Sequence, residues 1–268
     1  MLWEELTQKG FTEAVKTSEG VCILPLGVLE KHGNHLPLGT DMFTGISVCK
    51  KAAEIEPAVV FPYYFFGQIS EARHYKGTIA ASHRLLMDAL LEMCDEIHRN
   101  GFKKIIICSS HGGNNNFLPF FTQEMPRLNR PYNIYTYFVA HTTEEQRRKI
   151  MELSNNTDLG SHAGVGETSI IMHLRPELVD MGAQDPKEAI CESKLAQINA
   201  KGGHTGFDWY AYAPYHIAGD PSASSPELGK LLFDCMCESL VELIKAVKAD
   251  TVLENLINEF NQTSKNPM

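Results

Sequence analysis

No stretch of this chain approaches the roughly 18 consecutive apolar residues that a membrane-spanning helix needs, so no membrane partner is expected. The start, Met1-Leu2-Trp3-Glu4-Glu5-Leu6, lacks the basic-then-apolar order of a secretion signal, which predicts a cytoplasmic location. No block of like charges forms an interaction tail. The formal charge of −9, from 24 basic and 33 acidic residues, argues against nucleic acid as a partner. There is no CxxC pair. The seven cysteines (Cys22, Cys49, Cys94, Cys108, Cys191, Cys235, Cys237) are odd in number and several sit in apolar runs, so free thiols in a reducing compartment are expected. Cys235 and Cys237 fall in a helical pattern, which speaks against a soft-metal site there. Neither GxGxxG nor a Walker lysine occurs, which weakens a nucleotide-binding reading. Linker-like composition and repeats are absent too, and only Ser222-Ala223-Ser224-Ser225 is low in complexity. A single domain over residues 1–268 is therefore expected.

What is present is an ordinary globular composition, 43% hydrophobic and 21% charged, sufficient for a sizeable core. Strand and helix signals alternate along it. Residues 21–28 are an apolar stretch and residues 104–109 carry the continuous apolar run Ile105-Ile106-Ile107-Cys108, as in strands buried on both faces; residues 59–64 and 132–140 are β-branched and aromatic. Helical spacing marks residues 42–55, with Thr40 or Asp41 placed to cap, and Leu85, Leu86, Ala89, Leu90, Met93 and Ile97, ended by Asn100-Gly101. Residues 114–128 form a further helix with breaks at Pro119 and Pro126, followed by helices at 143–153 and 228–248. This alternation predicts an α/β fold with a mostly parallel sheet covered on both faces. Residues 202–221, rich in glycine, histidine and aromatics, lack periodicity and read as a functional loop or lid. Residues 261–268 read as a frayed end.

Three polar clusters interrupt this pattern. The first follows the strand at 21–28 and holds Glu30, His32, His35 and Asp41. Strand ends in open α/β sheets are where sites form, and carboxylates with imidazoles suit a hard-to-borderline divalent metal. Glu30 and His32, two apart on extended chain, point to one side. The second is Ser109-Ser110-His111-Gly112-Gly113-Asn114, directly after the strongest buried strand. Its glycines let backbone approach a ligand closely. The third is His162-Ala163-Gly164-Val165-Gly166-Glu167-Thr168-Ser169, at the start of a helical pattern. Each cluster alone has a plain alternative: a solvated loop, a structural histidine, a helix cap. Together Glu30, His32, Asp41, His111 and Glu167 suffice for two divalent ions sharing one carboxylate. Two ions roughly 3.5–4 Å apart ionise water near neutral pH and polarise a carbonyl together. The chemistry that fits is hydrolysis of an amide or related C–N bond.

The run Glu30-x-His32-Gly33-x-His35-Leu36-Pro37-x-x-Thr40-Asp41, then His111-Gly112-Gly113-Asn114, then His162-Ala163-Gly164-x-x-Glu167-Thr168-Ser169, resembles the creatininase (creatinine amidohydrolase) family. Residues 67–78 and Gly219-Asp220-Pro221 with Gly229-Lys230 match more weakly. The resemblance implies a three-layer α/β/α fold, two divalent ions (zinc, manganese or iron) and a homo-oligomer, a hexamer. It implies that Glu30 and His111 hold one metal, that His32 holds the other, and that Asp41 bridges. His162 falls at the family's acid/base histidine. Ser70, His74, Gly112, Gly113 and Asn114 are implied at the substrate. One position departs: creatininase proper has a metal-binding glutamate two residues after the histidine matched by His111, and here that residue is Gly113. Glu167 is the expected substitute, as ligand and as catalytic group. Lys76 replaces a usual proline. Family branches with His-Gly-Gly-Asn include a formamide hydrolase acting on a formylaminopyrimidine nucleotide and a peptidase that trims a peptide-derived cofactor. The expected function is thus metal-dependent hydrolysis of a small amide, with those two branches as alternatives and a non-catalytic, metal-containing oligomeric binding protein as the alternative outside enzymes. His35 is expected to be structural. His204 and His216, with Trp209, Tyr210, Tyr212 and Tyr215, are expected to stack on a ring substrate or to pack a subunit interface.

Overall fold

A computed structural model describes residues 1–138 and 140–265. Its strands are β1 (Val21–Leu26), β2 (Val59–Val60), β3 (Lys104–Ser109) and β4 (Asn133–Tyr137). They form one parallel sheet in the order β2-β1-β3-β4, with Val21 opposite Lys104 and Leu26 opposite Ser109. The helices are α1 (Gln8–Thr17), α2 (Thr40–Ile55), α3 (His83–Arg99), α4 (Asn114–Gln123), α5 (Met125–Leu128), α6 (Glu144–Leu153), α7 (Val165–Leu174), α8 (Ala196–Asn199), α9 (Asp208–Tyr212), α10 (Pro226–Ala249) and α11 (Val252–Lys265).

The period of two along each strand explains the layers. Cys22, Leu24, Leu26, Ile105 and Ile107 face one side, against Ala14 of α1, Leu86, Leu90, Cys94 and Ile97 of α3, and Phe117, Leu118 and Phe121 of α4. Val21, Ile23, Ile106 and Cys108 face the other, against Val48, Cys49 and Ala52 of α2 and Phe233, Leu240, Val241 and Ile244 of α10. Both faces are dry, so the strands read as unbroken apolar runs. Each fully buried isoleucine of the run Ile105-Ile106-Ile107 contributes about 1.5–3 kcal/mol. The result is the expected three-layer α/β/α arrangement.

Several boundaries differ from the sequence reading. The strand expected over 59–64 is regular only at Val59–Val60, with one further bridge from Tyr64 to Leu26; Phe61 N–H donates to Ile23 O and the next donation, to Pro25 O, comes from Tyr64, one residue later than a regular ladder requires, so the strand bulges after Phe61. Thr40 and Asp41 lie inside α2, whose cap is Gly39. Pro119 is accommodated within α4, and the break falls at Glu124, where α5 begins with Pro126 in its first turn. The last strand ends at Tyr137 and residue 139 lies outside the described residues. The tail is helical through Lys265, and residues 266–268 lie outside the described residues. Residues 202–221 are mostly irregular but contain α9.

One close approach sets the third wall of the site. A Cβ on Gly229 of α10 would lie 1.8 Å from the Ser169 carbonyl oxygen of α7. Only glycine lets α10 press so closely on α7, and α7 carries Glu167. Among the described residues no helix is long and apolar enough to cross a membrane.

Candidate metal centre

The C-terminal ends of β1 and β3, adjacent in the sheet, deliver the first two clusters side by side. After β1 the chain folds over and closes with Glu30 N–H donating to Leu38 O at 3.1 Å, then enters α2 with Asp41 in its first turn, where a carboxylate is favoured. After β3, Ser110 N–H donates to Leu26 O at 3.0 Å, and His111 follows. Glu30, His32, Asp41 and His111 are all buried. Glu167 reaches in from the first turn of α7.

The contacts among them are short. His111 Nδ1 is 2.7 Å from Glu30 Oε1 and 3.3 Å from Asp41 Oδ2. His32 Nε2 is 3.3 Å from Asp41 Oδ1 and 3.7 Å from Glu167 Oε2. The other ring nitrogens are tied to backbone: His111 Nε2 donates to Gln68 O at 2.7 Å and His32 Nδ1 to Glu30 O at 3.3 Å. This is how metal-binding histidines are aimed. Two sets of ligand atoms within reach of a single ion follow, Glu30-Asp41-His111 and His32-Asp41-Glu167, with Asp41 common to both. A third set, Glu30-His32-His162, overlaps them.

The electrostatics demand a partner for these atoms. Glu30 Oε1, His32 Nε2 and Asp41 Oδ2 are buried without a well-directed hydrogen bond and are held only by the ion-pair contacts just given. Burial alone would push the His32 imidazolium toward neutrality; Glu167 and Asp41 overcome it and push the pKa up to about 10. His111 likewise resists burial because Glu30 and Asp41 face it, and its pKa rises. Burial would raise the Glu30 carboxyl, yet His111 and His162 hold it well below the usual carboxylate range. Glu167 is pushed up to about 7, first by burial and then by Asp41. A carboxylate–imidazole nest that must borrow protons to balance its charge is suited to divalent cations, which take the place of those protons. The donor set therefore fits a pair of divalent ions.

Around this nest the remaining predicted residues separate. His162 lies beside it, its ring centroid 4.2 Å from that of His32, with Nε2 donating to Lys31 O at 2.9 Å. Burial and His32 lower its pKa to about 3, so the ring is neutral with the Nδ1 lone pair free. His35 Nε2 meets Thr168 Oγ1 at 3.0 Å and joins the first loop to α7. Asn114 is fully buried; its Oδ1 accepts from Gln68 N at 3.0 Å and its Nδ2 donates to Ser109 Oγ at 3.2 Å, so both ends of the amide are used inside the fold. Gly113 has no room for a side chain, since a Cβ would lie 2.5 Å from His111 Nε2 and 2.7 Å from Gln68 O. Gly113 and Trp209 line a cavity of about 580 Å³ with Gln68, Glu71 and His83. Ser70 and His74 line an outer cleft of about 480 Å³ with Tyr210, next to that cavity rather than against the ligand atoms. Gly112 faces open space. Two residues that sequence reasoning left among stacking or interface groups stand at the nest: His216 Nε2 hydrogen-bonds Glu30 Oε2, and Trp209 Nε1 donates to His216 Nδ1 at 2.9 Å. Their signal was only an aperiodic aromatic segment.

The family model described as creatinine amidohydrolase matches residues 4–244. The creatinine amidohydrolase of Pseudomonas putida is 29% identical over 189 residues, covering 66% of this chain and 73% of that protein. The mycofactocin precursor peptide peptidase of Mycolicibacterium smegmatis is 26% identical over 238 residues, covering 85% of each. A mutant creatininase of Zn-Zn type superposes with a TM-score of 0.75 at 21% identity, over 93% of this chain and 98% of that one, which shows a shared fold. With its nearly full-length family match, this chain belongs to the creatininase family.

Proposed function

We propose that this chain is a hydrolase of C–N amide bonds in small substrates, acting through two divalent ions held by Glu30, Asp41 and His111 on one side and His32, Asp41 and Glu167 on the other. The carrying observation is the convergence of buried, partnerless ligand atoms, Glu30 Oε1, His32 Nε2 and Asp41 Oδ2, into two sets that share Asp41. A pair of divalent ions at such a site supplies Lewis acidity toward a carbonyl oxygen and a water ionised near neutral pH. The chain's own residues do the rest. Glu30, Asp41 and Glu167 balance the charge. His162, whose Nε2 donates to Lys31 O and whose Nδ1 stands 4.0 Å from Glu167 Oε2, is the residue placed to carry a proton to the leaving nitrogen once an ion replaces the charge on His32. The cavity beside Gly113 and Trp209 is not lined by the ligand side chains themselves; it adjoins them through Gly113, two residues after His111, and is the proposed approach for substrate.

Zinc, manganese and iron all suit this oxygen-and-nitrogen donor set. Assembly as a hexamer of single-domain chains belongs to the same proposal and is checked by sedimentation equilibrium. The free cysteines are consistent with a cytoplasmic setting. To test the function, purified protein is stripped with a chelator, reloaded with each metal, and assayed against creatinine, formamides and short peptides. Activity in the metal-free protein equal to that of the reloaded one overturns the reading. Two bound ions with no turnover on the whole panel would favour a binding protein instead.

A further inference from the structure

Residues 202–221 end a hydrogen-bond chain on a ligand carboxylate. Trp209, on α9, donates from its indole Nε1 to His216 Nδ1 at 2.9 Å. An indole nitrogen can only donate, so Nδ1 is the accepting atom and the ring proton of His216 sits on Nε2. From there it is donated to Glu30 Oε2. The indole thus sets the tautomer of the imidazole, and the imidazole sets the carboxylate. His216 is 2% exposed and Glu30 0%. His216 is also held in a left-handed backbone conformation, φ 58°, which few non-glycine residues adopt. Its N–H donates to Ala213 O at 2.9 Å, and two residues on, Ala218 pairs with the backbone of His162. The ring is therefore fixed from both sides.

The consequence is an asymmetry between the two oxygens of Glu30. Oε2 is engaged by His216, whereas Oε1 has no hydrogen-bond partner and faces His111 Nδ1 at 2.7 Å. We propose that Trp209 and His216 are positioning residues: by pinning Oε2 they dedicate Oε1 to the ion shared with Asp41 and His111, and they make retention of that ion depend on the docking of residues 202–221. This rests on the metal reading above. Partners of a metal ligand typically change affinity by about 10–100-fold when removed. Trp209 also lines the 580 Å³ cavity, and its ring centroid is 6.0 Å from that of His162. Trp209 therefore links the cavity to the ligand carboxylate through His216.

The test is zinc binding, read by competition with a chromophoric chelator on stripped protein. Trp209→Phe keeps a ring and removes the N–H; it weakens the tighter zinc by about 10-fold, while His216→Leu approaches about 100-fold. His216→Gln, whose amide can both accept from the indole and donate to Glu30, recovers most of that loss. Recovery of zinc affinity by His216→Gln is the readout that a role in packing alone would not give. A second readout starts from the unsubstituted protein. Trp3 lies apart, packed on Phe11, Phe61 and Phe102, so zinc added to the unsubstituted protein changes the emission of Trp209, and Trp209→Phe abolishes the response. Unchanged zinc affinity in Trp209→Phe, or an emission that ignores zinc, overturns the inference alone. A protein that binds no zinc, manganese or iron overturns the proposed function and this inference with it.

Discussion

The two halves of the candidate metal centre are built to different tolerances. In the first, Glu30 and His111 come from the ends of adjacent, hydrogen-bonded strands and meet at 2.7 Å, with both side chains buried. In the second, His32 meets Glu167 only at 3.7 Å, and the Glu167 side chain is 32% exposed. Glu167 hangs from α7, which is located by the packing of α10 and not by the sheet. A ligand pair carried on neighbouring strands inherits the rigidity of the ladder. A ligand carried on a helix start inherits whatever slack lies between helix and sheet. The first half should therefore hold its ion more tightly, and the second should be where an ion exchanges.

The largest effect expected is from Asp41→Ala, which removes the carboxylate common to both halves. Both ions should be lost and kcat/KM should fall at least about a thousand-fold, checked by elemental analysis alongside kinetics. Glu167→Gln separates the halves: one ion should remain of two, with a fall of about a hundred-fold in kcat/KM. Retention of two ions there would mean that the halves are equivalent. Gly113→Ala strikes the tight half alone, because the new Cβ would sit 2.5 Å from His111 Nε2. It should cost about 1–3 kcal/mol in denaturant unfolding and weaken the tighter ion in chelator competition. Gly112→Ala is the contrast. A Cβ there meets nothing within 4 Å, so stability should stay within about 0.5 kcal/mol and ion affinity should not move. A fall in kcat/KM for Gly112→Ala with stability and ion affinity unchanged would show that the glycine pair works as a substrate channel and not only as a close wall for His111.

Local sequence carried much of this architecture. Residues 104–109 read as a strand because a parallel strand buried on both faces tolerates only apolar side chains, and Lys104–Ser109 is that strand. The α3 pattern ended at Asn100-Gly101, and the helix stops at Arg99. Where local signals conflicted, tertiary context chose: the aromatic run at 59–64 holds two ladder residues because an extra residue between Phe61 and Tyr64 puts the chain out of register with β1. In the site, the five proposed ligands were legible because Glu30, His32, Asp41, His111 and Glu167 stand at the ends of recognisable strands or helices. Asn114 was read as a substrate contact; its amide is instead held between Gln68 and Ser109. His216 was seen only as part of an aromatic segment, since it meets Glu30 from 186 residues away. No periodicity encodes a contact between aperiodic segments at that separation.

Side-chain periodicity and strand-end chemistry are properties of neighbouring residues, and they were enough to specify a covered parallel sheet with carboxylates and imidazoles at its rim. Which oxygen of Glu30 is left free, how far Glu167 stands from His32, and that Trp209 reaches the nest at all are distances between segments remote in the chain. Those distances exist only once α10 has closed on α7 at Gly229 and residues 202–221 have folded back over the strand ends, because side-chain reach is a few ångströms and only packing brings distant backbone within it.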